Sequence, residues 1–294
     1  MKLWSIIIEQ IEQVTQQRFS LQTAHSLHGG DINRAYRLEG VEKSYFVKIN
    51  QADLLTMFVT EALALQELAQ TQVMRIPQPI VHGIAGENAF LVLEYIELKS
   101  LTQATAQQLG QQLAQVHRQS QPYFGWHHDN YIGHTPQKNT QTDDWVAFWR
   151  QQRLQAQLSL AASKGFHGKI QEKGMHLAEL LPAFFVAYQP QASLLHGDLW
   201  AGNAAADREG HAVIYDPAGY YGDREADIAM TELFGGFGTS FYEAYADVWP
   251  LDPGYNTRKT LYNLYHILNH LNLFGGGYLG QAEAMMQQLI AEVE

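Results

Sequence analysis

The stretch His196-Gly197-Asp198-Leu199-Trp200-Ala201-Gly202-Asn203, taken with Asp216-Pro217-Ala218, decides the fold. Asp198 and Asn203 stand in the spacing D-x-x-x-x-N, a carboxylate and an amide set on one short loop. Residues 204–206 read as a short strand, Asp207-Arg208-Glu209-Gly210-His211 as a turn, and 212–215 as the returning strand. Residues opposite each other at the open end of such a hairpin lie about 5 Å apart, so Asn203 and Asp216 are expected to meet. Two oxygen donors at one point suit Mg²⁺, which takes one or two protein oxygens and fills its octahedron with phosphate and water. Pro217 disfavours a helical residue before it and is expected to hold Asp216 extended. Asp198 is left outside the pair, free to accept a proton from a hydroxyl.

Working outward, the N-terminal third reads as strands over 20–27, 34–38, 44–49, 80–83 and 90–96, with a helix over 52–70. On that helix Leu54, Phe58, Leu65 and Leu68 form one stripe, and Glu61 falls in its middle. A core-facing carboxylate is costly unless paired. Two readings stay open: Glu61 sits at an exposed rim, or it holds Lys48 of the preceding strand so that the ammonium grips nucleotide phosphates. Between the first two strands lies Gly29-Gly30-Asp31-Ile32-Asn33. It lacks G-x-G-x-x-G and a Walker lysine, so alone it is a weak phosphate-loop signal and reads as a turn. After Leu98 helices dominate, over 105–119, 144–164, 170–185, 228–234, 240–248 and 258–274. The expected class is α+β: a small lobe over 1–97 with an antiparallel sheet plus helix, and a larger, mostly helical lobe over 98–294.

Composition narrows the function. The 46% apolar content of the 294 residues is ample for a core and excludes disorder. The 19 Lys+Arg against 30 Asp+Glu, a net charge of −11, argue against a nucleic-acid partner. A nucleotide site needs only one or two local cations and is untouched by that balance. With no cysteine, disulfides and thiolate metal sites are excluded. Ile6-Ile7-Ile8 is cut short by Glu9 and Glu12, which suits an amphipathic helix and not an export signal or membrane span. A cytoplasmic protein without membrane or nucleic-acid partners is expected.

Other polar clusters weigh less. His196 has no second, suitably spaced metal ligand and reads as a residue bonding the loop backbone. His127-His128-Asp129 reads as a surface or substrate-lining loop. Asp227 either braces the catalytic loop or is an ordinary acid at a helix N-terminus. Only residues 218–224 separate Asp216 from the next helix, and no A-P-E follows, so a protein-kinase activation loop has no room. A small-molecule acceptor follows.

Leu195–Asn203 with Asp216-Pro217-Ala218 resembles the aminoglycoside phosphotransferase-type, protein-kinase-like superfamily. Gly29-Gly30-Asp31-Ile32-Asn33-Arg34-Ala35, Phe124-Gly125-Trp126, Asp129-Asn130-Tyr131-Ile132-Gly133 and Tyr221-Gly222-Asp223-Arg224-Glu225-Ala226-Asp227 resemble the fructosamine kinase (ketosamine-3-kinase) family. So do Glu232-Leu233-Phe234-Gly235-Gly236-Phe237 and Leu268-Asn269-His270-Leu271-Asn272. The resemblance implies a bilobal kinase-like fold with ATP in the cleft and Mg²⁺ on Asn203 and Asp216. It implies Asp198 as base, Lys48 on the phosphates with Glu61 holding it, and the 29–33 loop over the phosphates. It also implies Glu94, Tyr95 and Ile96 as the hinge that bonds adenine. The implied substrate is a ketosamine, a sugar joined to an amine by glycation, whose 3-phosphorylation makes the adduct unstable and releases the amine. Trp200 either lines the sugar pocket or packs in the core; Asp129, Asn130, Asp223 and Arg224 are further pocket candidates. The rivals are a same-fold kinase of aminoglycoside, choline or homoserine type, and a non-catalytic nucleotide-binding protein.

Overall fold

Period-two alternation in the first third produces a five-stranded antiparallel sheet of order β1-β2-β3-β5-β4. The computed structural model describes residues 2–27 and 32–294. Its strands are β1 (Leu21–Leu27), β2 (Arg34–Gly40), β3 (Ser44–Gln51), β4 (Pro79–Ala85) and β5 (Asn88–Glu94). Helix α1 (Lys2–Thr15) covers one face, and α2 (Leu55–Gln70) packs on the other. The alternation sorts side chains between two cores. Tyr45, Val47, Ile49, Phe90 and Val92 join Ile7 and Ile11 of α1. Ala89, Leu91 and Leu93 join Phe58, Leu65 and Leu68 of α2. Lys48 pairs in register with Leu91, so it too faces α2.

The remainder is mostly helical. Helix α3 (Gln103–His117) starts at a reciprocal Thr102–Thr105 capping box. Two short strands follow, β6 (Asn130–Ile132) and β7 (Thr135–Gln137). The helix expected over 144–164 is α4 (Trp145–Phe148), a π-helical stretch Trp149–Gln155 and α5 (Ala156–Ser163). In the π-helical stretch Arg153 turns fully inward, its guanidinium 4.1 Å from the Tyr220 ring centroid. Then come α6 (Lys169–Leu180), β8 (Ser193–Leu195), β9 (Ala204–Ala206), β10 (Ala212–Ile214), β11 (Tyr220–Gly222), α7 (Glu225–Leu233), α8 (Thr239–Val248), α9 (Tyr255–Phe274) and α10 (Leu279–Val293). The four strands β6, β7, β8 and β11 lie outside the expected set; three residues are too few to show a period. Helix α10 is also additional, although Ala282, Met286, Leu289 and Ile290 repeat at helical spacing and are buried.

The chain leaving β5 docks on the β9–β10 hairpin. Lys99 N–H donates to Ala206 O at 2.8 Å, and Ala206 N–H to Lys99 O at 2.9 Å. No helix of the described residues is long and apolar enough to cross a membrane. Phe58, fully buried between α2 and the sheet, tests the second core. Phe58→Ala should cost about 3–5 kcal/mol of unfolding free energy, read from urea denaturation.

Candidate active site

The strand β8 delivers the chain to His196, Gly197 and Asp198. Gly197 adopts φ 81, and a Cβ there would lie 2.2 Å from Ala218 O, so only glycine fits. Asp227 of α7 accepts from the N–H groups of His196 (2.7 Å) and Gly197 (2.8 Å), and bonds His117 Nε2 at 3.1 Å. Burial pushes the Asp227 carboxyl up, but the contacts from His117, His196 and the Gly197 N–H outweigh it and hold it below its usual value. Of the two readings of Asp227, the structure shows the brace. His196 Nδ1 accepts from Asp198 N–H at 3.3 Å, and Nε2 donates to Tyr215 O at 2.9 Å. Burial lowers its pKa, so it stays neutral and bonds the loop backbone.

The hairpin forms with Ala204 opposite Ile214, and Tyr215 N–H donates to Asn203 O at 3.1 Å. Asn203 therefore stands opposite Tyr215, one residue short of the expected pairing with Asp216. Its Nδ2 donates to Asp198 O at 2.8 Å and points at Asp198 Oδ2 at 3.4 Å. Asp216 is not extended as Pro217 led us to expect: its φ is 58, in the left-handed region. The bonds on either side force this turn. Tyr215 is tied to the hairpin, while Ala218 N–H donates to His196 O at 2.9 Å.

Lys48 lies buried between two carboxylates. Its Nζ is 2.7 Å from Glu61 Oε1 and 2.5 Å from Asp216 Oδ1. The exposed-rim reading of Glu61 is thus set aside. Burial works against the ammonium, but Asp216 and Glu61 outweigh it and keep Lys48 charged. Burial pushes Glu61 up and Lys48 draws it back; at 2.7 Å the charged pair is the state the geometry supports. Asp198 is raised to about 7, by burial first and then by the charges of Asp216 and Asp227, against the Asn203 hydrogen bond.

The other candidates divide. Gly29, Gly30 and Asp31 lie outside the described residues. Ile32 and Asn33 are held by Asn50 of β3, whose Nδ2 donates to Ile32 O at 3.2 Å and Asn33 Oδ1 at 2.7 Å. Glu94 is gripped by both guanidinium nitrogens of Arg75 at 2.7 Å; Tyr95 and Ile96 follow it half-buried, with Arg37 over the Tyr95 ring. Trp200 is not in the core: its indole, 37% exposed, folds over Gly202 and meets Phe234 edge-on. Four pocket candidates are committed elsewhere. Asp129 accepts from Lys138 Nζ and Asn139 N–H, and Asn130 donates to Gly219 O. Asp223 is wholly buried under the hydroxyls of Tyr188 and Tyr262, and Arg224 bonds the carbonyls of Trp249 and Pro250. Asn130, Asp223 and Arg224 are buried with their polar atoms on these partners, while Asp129 remains exposed. The sequence reading missed His117, Asn50 and Glu67. Glu67 of α2 accepts from Trp126 Nε1 at 2.5 Å and from Tyr221 OH at 2.7 Å, across to the helical part. Of these only His117 leaves a signal, a polar residue on the apolar stripe of Leu109, Leu113 and Val116.

A family model described as fructosamine kinase matches residues 3–292. The chain is 46% identical over 288 residues to a probable ketoamine kinase of Synechocystis sp., covering 98% of this chain and 97% of the other. This chain belongs to the fructosamine kinase family. A solved structure of a provisionally assigned fructosamine-3-kinase from Haemophilus somnus matches at TM-score 0.90 and 27% identity, covering 98% of each chain. Choline kinase from Streptococcus pneumoniae, at 15% identity and TM-score 0.68 over 99% of this chain and all of that one, shares the fold. The α+β, kinase-like class is thereby shown.

The family member's donor set suits a hard divalent cation. Asp216 gives one oxygen to the Lys48 ammonium, a cation already seated there, and 43% of its side-chain surface stays open. Asn203 commits its nitrogen to Asp198, which leaves its carbonyl oxygen as the available ligand. Asp198 supplies a stability test on metal-free protein. Its folded pKa of about 7 exceeds the unfolded value of about 4, so between them the folded state holds the extra proton and stability falls as pH rises. Asp198→Asn removes that loss. The variant should equal the parent near pH 4 and exceed it by roughly 2–4 kcal/mol at pH 8, measured by chemical denaturation.

Proposed function

We propose that this protein transfers the γ-phosphoryl group of ATP to a sugar hydroxyl of a ketosamine. The observation that carries the reading is Lys48 clamped between Glu61 and Asp216, with Asp198 and Asn203 beside it on the catalytic loop and hairpin. In this reading residues 1–97 are the nucleotide-binding lobe and 98–294 the catalytic and acceptor lobe. Lys48 grips the phosphates, and Glu61 fixes its position. Glu94, Tyr95 and Ile96 supply backbone groups to adenine, and the 29–33 loop covers the phosphates. Asn203 and Asp216 hold Mg²⁺, which when bound neutralises charge on the phosphates. Asp198 accepts the proton of the attacking hydroxyl; its raised affinity for a proton suits a base acting near neutrality. The new bond joins the sugar oxygen to phosphorus, the bond from phosphorus to the β–γ bridging oxygen breaks, and ADP leaves. Positioning and charge stabilisation supply most of the rate.

A cavity of about 750 Å³ opens beside Ala204, Ala205 and Tyr215 and reaches Phe237 and Thr239, within the range of small-molecule sites. In this reading Trp200, exposed two residues past Asp198, lines the acceptor side. The ketosamine assignment draws on family membership and on the ketoamine kinase relative. Product breakdown would then release the amine.

Two measurements test the reading. Coupled ADP release on a panel of fructosamine, ribulosamine, choline, homoserine and an aminoglycoside should show turnover with the ketosamines. Turnover of another alcohol alone would overturn the acceptor assignment. Asp198→Asn should lower turnover by about 10²–10⁴ while ATP affinity stays nearly constant; an unchanged rate would refute the assigned base.

A further inference from the structure

Asn130 of β6 and Gln137 of β7 stand opposite each other in register, and both are almost wholly buried. They turn onto the backbone that follows Asp216. Gln137 Nε2 donates to Ala218 O at 3.0 Å and to Asn130 Oδ1 at 2.8 Å. Those two acceptors use both amide protons. Asn130 Nδ2 donates to Gly219 O at 2.8 Å. The pair is fixed from behind. Tyr265 OH of α9 donates to Gln137 Oε1 at 2.7 Å, and Asn139 Nδ2 to Asn130 Oδ1 at 2.8 Å. Arg153 of the π-helical stretch donates to Asn139 Oδ1 at 2.8 Å.

On its other side Ala218 is bonded to His196 O and lies against Gly197. The two residues after Pro217 are therefore clamped between the catalytic loop and the β6–β7 hairpin. Asp216 sits at the head of this segment in a left-handed conformation. Such a backbone persists where its surroundings over-determine it.

We infer that Gln137 is a positioning residue: through Ala218 it keeps Asp216 in the left-handed, metal-competent conformation. A buried hairpin thus does for this short segment what an ordered activation loop does in longer kinases. The inference rests on the reading of Asp216 as a metal ligand. Gln137 touches neither nucleotide nor metal, and loosening it should appear first in metal affinity.

The test is Mn²⁺ binding to the full chain with a non-hydrolysable ATP analogue and no acceptor, read by electron paramagnetic resonance. Gln137→Met keeps the length and removes both donors. It should weaken Mn²⁺ about tenfold, the effect of one buried acceptor left unpaired, with metal-free nucleotide affinity unchanged. Its turnover should recover at high Mg²⁺. Asp216→Asn is the reference. If it binds Mn²⁺ like the parent, the metal reading falls and the inference with it. If Asp216→Asn loses Mn²⁺ and Gln137→Met does not, the clamp alone is overturned, even where Gln137→Met melts earlier. Should Gln137→Met not fold, Tyr265→Phe decides. It removes only the hydroxyl that orients Gln137 and should weaken Mn²⁺ about two- to fivefold; parental affinity would overturn the inference.

Discussion

A buried ammonium held by two carboxylates sets the rest of the structure. An ammonium at the position of Lys48 would be intolerable alone, and the enclosed carboxylate of Glu61 would be costly without it. The partners come from three separate elements: β3, α2 and the segment after β10. The folded chain must bring all three together to within hydrogen-bond reach. The N-terminal sheet, its covering helix and the catalytic hairpin are thereby held in one arrangement.

Around that point the protein spends polar groups generously, and most of them face backbone. Asp227 binds two N–H groups of the catalytic loop, and Gln137 and Asn130 bind two carbonyls beyond Asp216. Loops that carry reactive groups cannot use ladder hydrogen bonds, so buried side chains satisfy them instead. The result is a site whose chemistry-bearing residues sit on short irregular segments and whose rigidity comes from residues remote in sequence.

Much of this was legible in the sequence. Residues close in the chain and bound by simple periodicity were the easiest: the β9–β10 hairpin and the sheet followed from alternation and spacing, while the Lys48–Glu61 pairing was visible as one of two options. The bracing role of Asp227 was visible as one of two options. What escaped depends on long-range contact. Nothing near Gln137 in the chain announces that its amide meets Ala218, 81 positions on. Asn130, Asp223 and Arg224 looked like pocket residues because polar residues in a motif invite that reading; the fold had other uses for them. The left-handed turn at Asp216 ran against the local preference imposed by Pro217, and tertiary bonds won.

Glu67 carries a consequence for control. It takes two hydrogen bonds from residues across the cleft, Trp126 and Tyr221, and it lies six positions after Glu61 on the same helix. Helices in this position serve as on–off levers where they are free to tilt. Here an outward tilt would break both bonds and leave the indole N–H of the buried Trp126 without its acceptor. Glu67 thus fastens the helix that carries Glu61 to the segments at Trp126 and Tyr221.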